Sequence, residues 1–169
     1  MLELYSLMMR ADTKRGYGAL YQGGIGALSA MVRDGIIPSL VINASNFPLP
    51  TPDPVPDITV FSINIEDATY VTIYGAISLS IALIHEFRRK NLTVLVNCAA
   101  GISRSTTIVI AYKLYCMREH DLKTLVGLTF VDRAGDDRRA QRFSGPNIGF
   151  CLQLEVAEPI IRAIPIVED

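Results

Sequence analysis

Val94-Leu95-Val96-Asn97-Cys98-Ala99-Ala100-Gly101-Ile102-Ser103-Arg104-Ser105 holds a strand, a tight loop and a helix start in succession. Leu92, Val94, Leu95 and Val96 form a short, largely β-branched run of the kind buried in parallel sheets. Ser105, Thr106 and Thr107 lead into the helical segment Ile108-Val109-Ile110-Ala111-Tyr112. A loop that passes from a strand into a helix N-terminus presents several backbone N–H groups to one point. With the positive end of the helix dipole, those donors make an anion site. Gly101 lets the loop curl tightly, and Ala99 and Ala100 leave room for a ligand beside the backbone. Arg104 adds a bidentate fork for two phosphate oxygens. The same field favours a thiolate at Cys98. A nucleophile at the floor of a phosphate cradle implies phosphoryl transfer to sulfur.

The stretch resembles the Cys-x5-Arg-Ser/Thr signature of the protein tyrosine phosphatases. It is most similar to the dual-specificity branch, whose loop commonly reads Cys-x-Ala-Gly-x-Ser-Arg-Ser. A competing reading is an inert buried cysteine beside a surface arginine. The preceding strand, Gly101, Ser103, Ser105 and the following helix favour the cradle. One position departs from the family, which places His immediately before the nucleophile, where this chain has Asn97. The resemblance implies that this His steadies the loop and favours the thiolate. Asn hydrogen-bonds but carries no charge.

The chain has 169 residues, half of them hydrophobic, with a formal net charge of −1. That suits one folded domain over residues 1–169 and argues against disorder. With no long basic run, nucleic acid is not expected as a partner. Cys98, Cys116 and Cys151 make an odd count without close pairs, so no disulfide framework is expected. Cys116 and Cys151 fall in apolar helical patterns and read as core residues. His85 and His120 lie apart, with no ligand spacing around them, so no metal and no cofactor are expected. Met1-Leu2-Glu3-Leu4 does not read as a secretory leader, and the longest apolar stretch, over residues 73–84, is too short for a membrane span. A reactive thiol needs a reducing compartment, so the expected location is cytoplasmic, with the nucleus also open.

Leu2, Leu4, Leu7 and Met8 fit either a strand or a helical turn. Ala19-Leu20-Tyr21-Gln22 reads as a strand stopped by Gly23-Gly24. Ile25, Leu28, Met31 and Val32 give helical spacing up to Asp34-Gly35. Residues 39–43 read as a buried strand, and residues 58–63 as a second one. Between them Pro48, Pro50, Pro52, Pro54 and Pro56 impose an extended connection, read first as a spacer and second as a docking segment for a proline-reading partner. A helix is expected over residues 70–90, with Ile73, Ile77, Ile81 and Ile84 on one face and Arg88-Arg89-Lys90 at its C-terminal end. Asp121 is placed to cap a helix carrying Leu122, Leu125, Leu128 and Phe130. Pro146-Asn147 introduces a last helix with Phe150, Leu152, Leu154 and Ile160. The alternation implies an α/β fold with a mixed, largely parallel central sheet and helices on both faces. That agrees with the phosphatase fold. The ending Pro146-Asn147-Ile148-Gly149-Phe150-Cys151-Leu152-Gln153-Leu154 also resembles the family's Pro-Asn-x-Gly-Phe-x-x-Gln-Leu segment.

Monoester hydrolysis needs a nucleophile, neutralisation of the phosphoryl charge and a proton for the leaving oxygen. Cys98 supplies attack. The backbone N–H groups of Ala99, Ala100, Gly101, Ile102, Ser103 and Arg104, with the Arg104 side chain, bind the phosphoryl oxygens. The resemblance implies that Asp67, in the loop before the helix leading to the catalytic strand, is the general acid. Glu66 beside it is the alternative, and an N-cap is the competing role for Asp67. It also implies that Ser105 assists breakdown of the phosphoenzyme, against a simple helix cap, and that Asn97 and Asn147 support the loop, against an N-cap for Asn147. Arg138, Arg139 and Arg142 read as a solvated face rather than a contact for an acidic substrate flank.

The resemblance therefore implies a dual-specificity phosphatase acting on phosphotyrosine and phosphoserine or phosphothreonine in phosphorylated proteins. Two alternatives stand beside it. One is a weakly active phosphate-binding module, motivated by Asn97. The other is a phosphatase of a phosphoinositide or RNA phosphate, disfavoured because Ala99, Ala100, Ile102 and Ser103 bring no lysine to the loop.

Overall fold

The computed structural model describes residues 5–54, 56–134 and 145–167, with the backbone alone for 131–134. Its elements run β1 (Tyr5–Met9), β2 (Leu20–Gly23), α1 (Ala27–Arg33), β3 (Leu40–Asn43), β4 (Thr59–Ser62), α2 (Tyr74–Arg88), β5 (Val94–Asn97), α3 (Arg104–Cys116), α4 (Leu122–Ala134) and α5 (Ile148–Ala163). The five strands lie in the order β1-β2-β5-β3-β4. β1 is antiparallel to β2, and every other pairing is parallel. The ambiguous N-terminal stretch is thus a strand where it is described.

β5 sits between β2 and β3, in register with both, so that Gly23, Asn97 and Asn43 lie side by side at the carboxyl end of the sheet. Val94 and Val96 point into one core with Leu20, Leu40 and Ile42. Leu95 and Val41 point to the other face, under Ala27, Leu28 and Met31 of α1. This alternation puts apolar side chains on both faces of the central strands, as a sheet covered on each side requires. α3 is buried along nearly its whole length, among α2, α4, α5 and the sheet. A helix enclosed in this way has little freedom to shift, so the loop at its N-terminus is held from below.

The helix expected over residues 70–90 starts at Tyr74 instead. Tertiary contacts hold the preceding residues out of it: Gln153 Oε1 accepts from the Ile73 N–H at 2.9 Å, and its Nε2 donates to the Val71 carbonyl at 2.8 Å. The four isoleucines are buried as expected. Arg88 is the last residue of α2, a cation at the C-terminal end as expected. It is buried and donates from Nε to the Gly18 carbonyl at 2.7 Å. Asp121 caps α4 by accepting from the Thr124 N–H at 2.7 Å. In α5 the buried positions are Phe150, Leu154, Ala157 and Ile161, whereas Leu152 and Ile160 are exposed. Cys116 and Cys151 are half-buried rather than in the core. The prolines before β4 form an irregular connection whose Leu49, with Ile58 at the strand's threshold, packs beside the α1 layer. Arg138, Arg139 and Arg142 lie outside the described residues.

Candidate active site

Cys98 follows β5 directly and is 1% exposed, at the point where the chain leaves the sheet. The loop after it is shaped by Gly101, whose φ of +68° lies in the left-handed region. A Cβ there would also stand 2.5 Å from the backbone of Gly23 and Gly24. Only glycine meets both conditions. The loop's carbonyls are tied outward: Ala99 O accepts from the Ile25 N–H at 3.0 Å, Gly101 O from Gln22 Nε2 at 3.0 Å, and Ser103 O from the Thr107 N–H at 2.9 Å. The N–H groups of residues 99–104 donate to nothing among the described residues. At Ser103, the N-cap of α3, the side chain makes no cap bond, so the first turn of that helix also keeps its donors free.

Arg104 closes one side. Its side chain is 7% exposed, and Nη1 donates to Asn46 Oδ1 at 3.2 Å and to the Ile65 carbonyl at 3.0 Å. Nε is buried and has no acceptor. Buried N–H groups of an arginine are rarely left unpaired. One so placed beside a row of free amides marks a position for an anion. The guanidinium is thus fixed by one nitrogen and open at another.

Asp67 is the residue expected to be the acid. Its Oδ1 accepts from Ser103 Oγ at 2.7 Å and from Asn147 Nδ2 at 2.8 Å, and its Oδ2 lies 3.9 Å from Arg104 Nε. With 35% of its side chain exposed, it is anchored through one oxygen and reachable through the other. It is no N-cap, since α2 begins seven residues later. Glu66 instead accepts from Tyr70 Oη at 3.3 Å on the surface. Asn147 does cap α5, accepting from the Phe150 N–H at 3.0 Å, while its own N–H donates to Ser103 Oγ at 3.0 Å. The competing N-cap role is thus what the structure shows, beside contacts of the same residue to Ser103 and Asp67. Gly149 permits this approach, because a Cβ there would overlap the Thr69 carbonyl.

Ser105 is fully buried, with Oγ 3.3 Å from Cys98 Sγ, and its side chain is not a helix cap. Asn97 donates from Nδ2 to Asn43 Oδ1 at 3.2 Å. The same Asn43 oxygen accepts from the N–H and Oγ of Ser45. This polar knot ends β3 and leads into Asn46. The sequence reading missed Asn46, which steadies Arg104, and Gln22, which holds Gly101 O and donates to Thr106 Oγ1 at 2.7 Å. The one signal was at Gln22, a polar residue inside the short strand β2.

Among the described residues, no group of three His, Cys, Asp or Glu side chains is placed to hold a metal, and no helix is long and apolar enough to cross a membrane. Burial pushes the Cys116 thiol up to about 11 and raises that of Cys151, so neither resembles an activated nucleophile.

The sequence pattern described as "Dual specificity phosphatase, catalytic domain" matches residues 20–159. Dual specificity protein phosphatase 22-A of Danio rerio is 35% identical over 99 residues, which is 59% of this chain and 43% of that protein. Dual specificity protein phosphatase 15 of Mus musculus is 36% identical over 99 residues, 59% of this chain and 38% of that protein. The chain thus spans about two fifths of the length of these curated relatives. The crystal structure of DUSP15 superposes with a TM-score of 0.68 at 27% identity, covering 88% of each chain. That of human DUSP28 has a TM-score of 0.68 at 23% identity, covering 85% of this chain and 90% of the other, and speaks to the fold alone.

Proposed function

The chain belongs to the dual specificity phosphatase family, and on that premise we propose that it hydrolyses phosphotyrosine and phosphoserine or phosphothreonine in protein substrates through a cysteinyl-phosphate. The observation that carries this is the buried Cys98 followed by six backbone N–H groups that, among the described residues, have no acceptor, with an Arg104 Nε that has no hydrogen-bond acceptor there and lies 3.9 Å from Asp67 Oδ2. The Cys98 thiolate attacks phosphorus and the ester P–O bond breaks. Its electron pair goes to the leaving oxygen, which takes the Asp67 proton. The amides and Arg104 hold the phosphoryl oxygens as charge redistributes. Water then attacks, giving its proton to Asp67. The P–S bond breaks, and Ser105 Oγ hydrogen-bonds the departing thiolate. No cofactor enters either step. Residues 1–169 act as one catalytic domain in this reading, and the reducing environment that Cys98 needs is that of the cytoplasm or nucleus.

Asn97 motivates a weakened rather than an absent activity in this reading, because the roles given to Cys98, the loop N–H groups and Asp67 do not depend on it. The test is turnover of phosphotyrosine and phosphothreonine peptides by the wild type and Cys98→Ser, with acid quenching to trap the phosphoenzyme. We expect turnover and a trapped intermediate in the wild type alone, with phosphate binding kept in the variant. Turnover that persists in Cys98→Ser would remove the cysteine from its role. Phosphate binding without turnover in the wild type would favour a binding module.

A further inference from the structure

A second cavity, of about 800 Å³, opens at the far end of α3, where Tyr112, Lys113 and Met117 line it. Nine helical rises separate Arg104 from Lys113, so the cavity lies more than about 13 Å along that helix from the cradle. Its volume falls in the range that takes a small organic ligand. The wall is partly apolar, with Met8, Met9, Leu128 and Ile166. Methionine is flexible and polarizable, which suits it to an aliphatic or aryl body of varied shape. The charged part of the wall holds Arg10, Arg15, Arg88, Arg89 and Lys113 with Asp12 and Glu119, and Arg89 is already paired with Glu86 at 2.9 Å. Asp12 is itself engaged, 3.9 Å from Arg15.

Arg88 gives the cavity its chemistry. It is 3% exposed, and a buried guanidinium normally meets a carboxylate. Here every acceptor is neutral. Nε donates to the Gly18 carbonyl at 2.7 Å and Nη2 to the Arg10 carbonyl at 3.3 Å. Nη1 donates to Tyr112 Oη at 3.4 Å and Met9 Sδ at 3.3 Å, the latter a weak acceptor. The rings of Tyr112 and Tyr17 lie 5.4 and 5.8 Å from its central carbon. A guanidinium has five N–H donors, so one on Nη2 is left over, and the charge meets no anion among the described residues.

We propose that this cavity binds a small anionic amphiphile, with a carboxylate or sulfonate head on Arg88 and an apolar body against the methionines. The site is separate from the phosphatase reading and does not depend on it. The probe is 8-anilinonaphthalene-1-sulfonate, titrated by fluorescence into the full chain, with decanoate, decanol and inorganic phosphate as competitors. We expect one saturable site, displaced by decanoate at least about tenfold better than by decanol, as a charge-assisted hydrogen bond implies. Phosphate should leave the probe in place. Arg88→Met should weaken the probe about tenfold or more. Leu128→Trp, which narrows the cavity without touching the guanidinium, tests the same site should Arg88→Met fail to fold, and should also weaken binding. Absence of saturable binding, equal displacement by decanol, displacement by phosphate, or undiminished binding in Leu128→Trp would each overturn the proposal.

Discussion

Ser103 Oγ donates to Asp67 Oδ1 at 2.7 Å while accepting from the Asn147 N–H at 3.0 Å, so one hydroxyl joins the cradle, the acid loop and the start of α5. Because Ser103 is spent on these contacts, it does not cap its own helix. Asp67 is held by hydrogen bonds, without a salt bridge at hydrogen-bond distance.

Asp67→Asn is therefore expected to lower kcat by about 10²-fold or more on substrates with poor leaving groups and far less on those with good ones. Ser103→Ala removes both bonds of that hydroxyl but leaves Asn147 Nδ2 on Asp67 Oδ1, and should cost about fivefold or more. A leaving-group series of aryl phosphates on both variants measures this. Equal losses across the series, or a larger effect from Glu66→Gln, would reassign the acid.

Arg104→Lys keeps the charge but loses the planar fork that bonds Asn46 and Ile65 through Nη1 while leaving Nε open. We expect kcat/KM to fall by about 10²-fold, with weaker competitive inhibition by inorganic phosphate. Wild-type kinetics in the lysine variant would rule out the two-sided use of the guanidinium.

Gly101→Ala places a Cβ at φ +68° and 2.5 Å from the Gly23 and Gly24 backbone. The left-handed backbone alone costs about 1–2 kcal/mol, and relief of the overlap must move the loop. Urea melts should show that loss or more, together with a fall in phosphate affinity. Gly16→Ala, also at positive φ but with nothing close to its added Cβ, separates the two contributions.

Asn97→His restores a group that carries charge below neutrality beside the nucleophile. Its iodoacetate inactivation profile is expected to shift to lower pH than that of the wild type, and its gain in turnover to be largest at acidic pH. Cys116 is an internal control: with its thiol pushed up to about 11 by burial, it stays protonated and unlabelled through neutral pH in both proteins. Coincident inactivation profiles would show that Asn97 does not tune the nucleophile.

What could be read from the chain before its structure was whatever lies close together along it. The nucleophile, the glycine, the arginine and the helix start fall within a few residues, and their chemistry is local. The strands around them follow from apolar runs bounded by glycine and polar residues. Asn46 and Gln22 could not be found this way. Asn46 meets Arg104 across 58 positions and Gln22 meets Gly101 across 79, through single side chains with no periodic pattern. The onset of α2 failed for a related reason, since Gln153 holds Ile73 from 80 positions away. Arg88 falls at the helix end as its charge implies, and only the Gly18 carbonyl, 70 positions away, accounts for its side chain turning inward.

The clamp that α5 places on the acid loop also fixes an order of events during synthesis. Cys98, Arg104 and the strands that flank them emerge from the ribosome well before Asn147 and Gln153, which lie 80 positions beyond Asp67 and Ile73 respectively. Contacts that span so much chain form late, because the intervening segment must first be made and its loop closed. On this ordering the nascent chain has Cys98 and the backbone N–H groups of residues 99–104 before Asp67 receives its bond from Asn147. The last helix to be made is the one that fastens the loop of Asp67 to Ser103 and to itself.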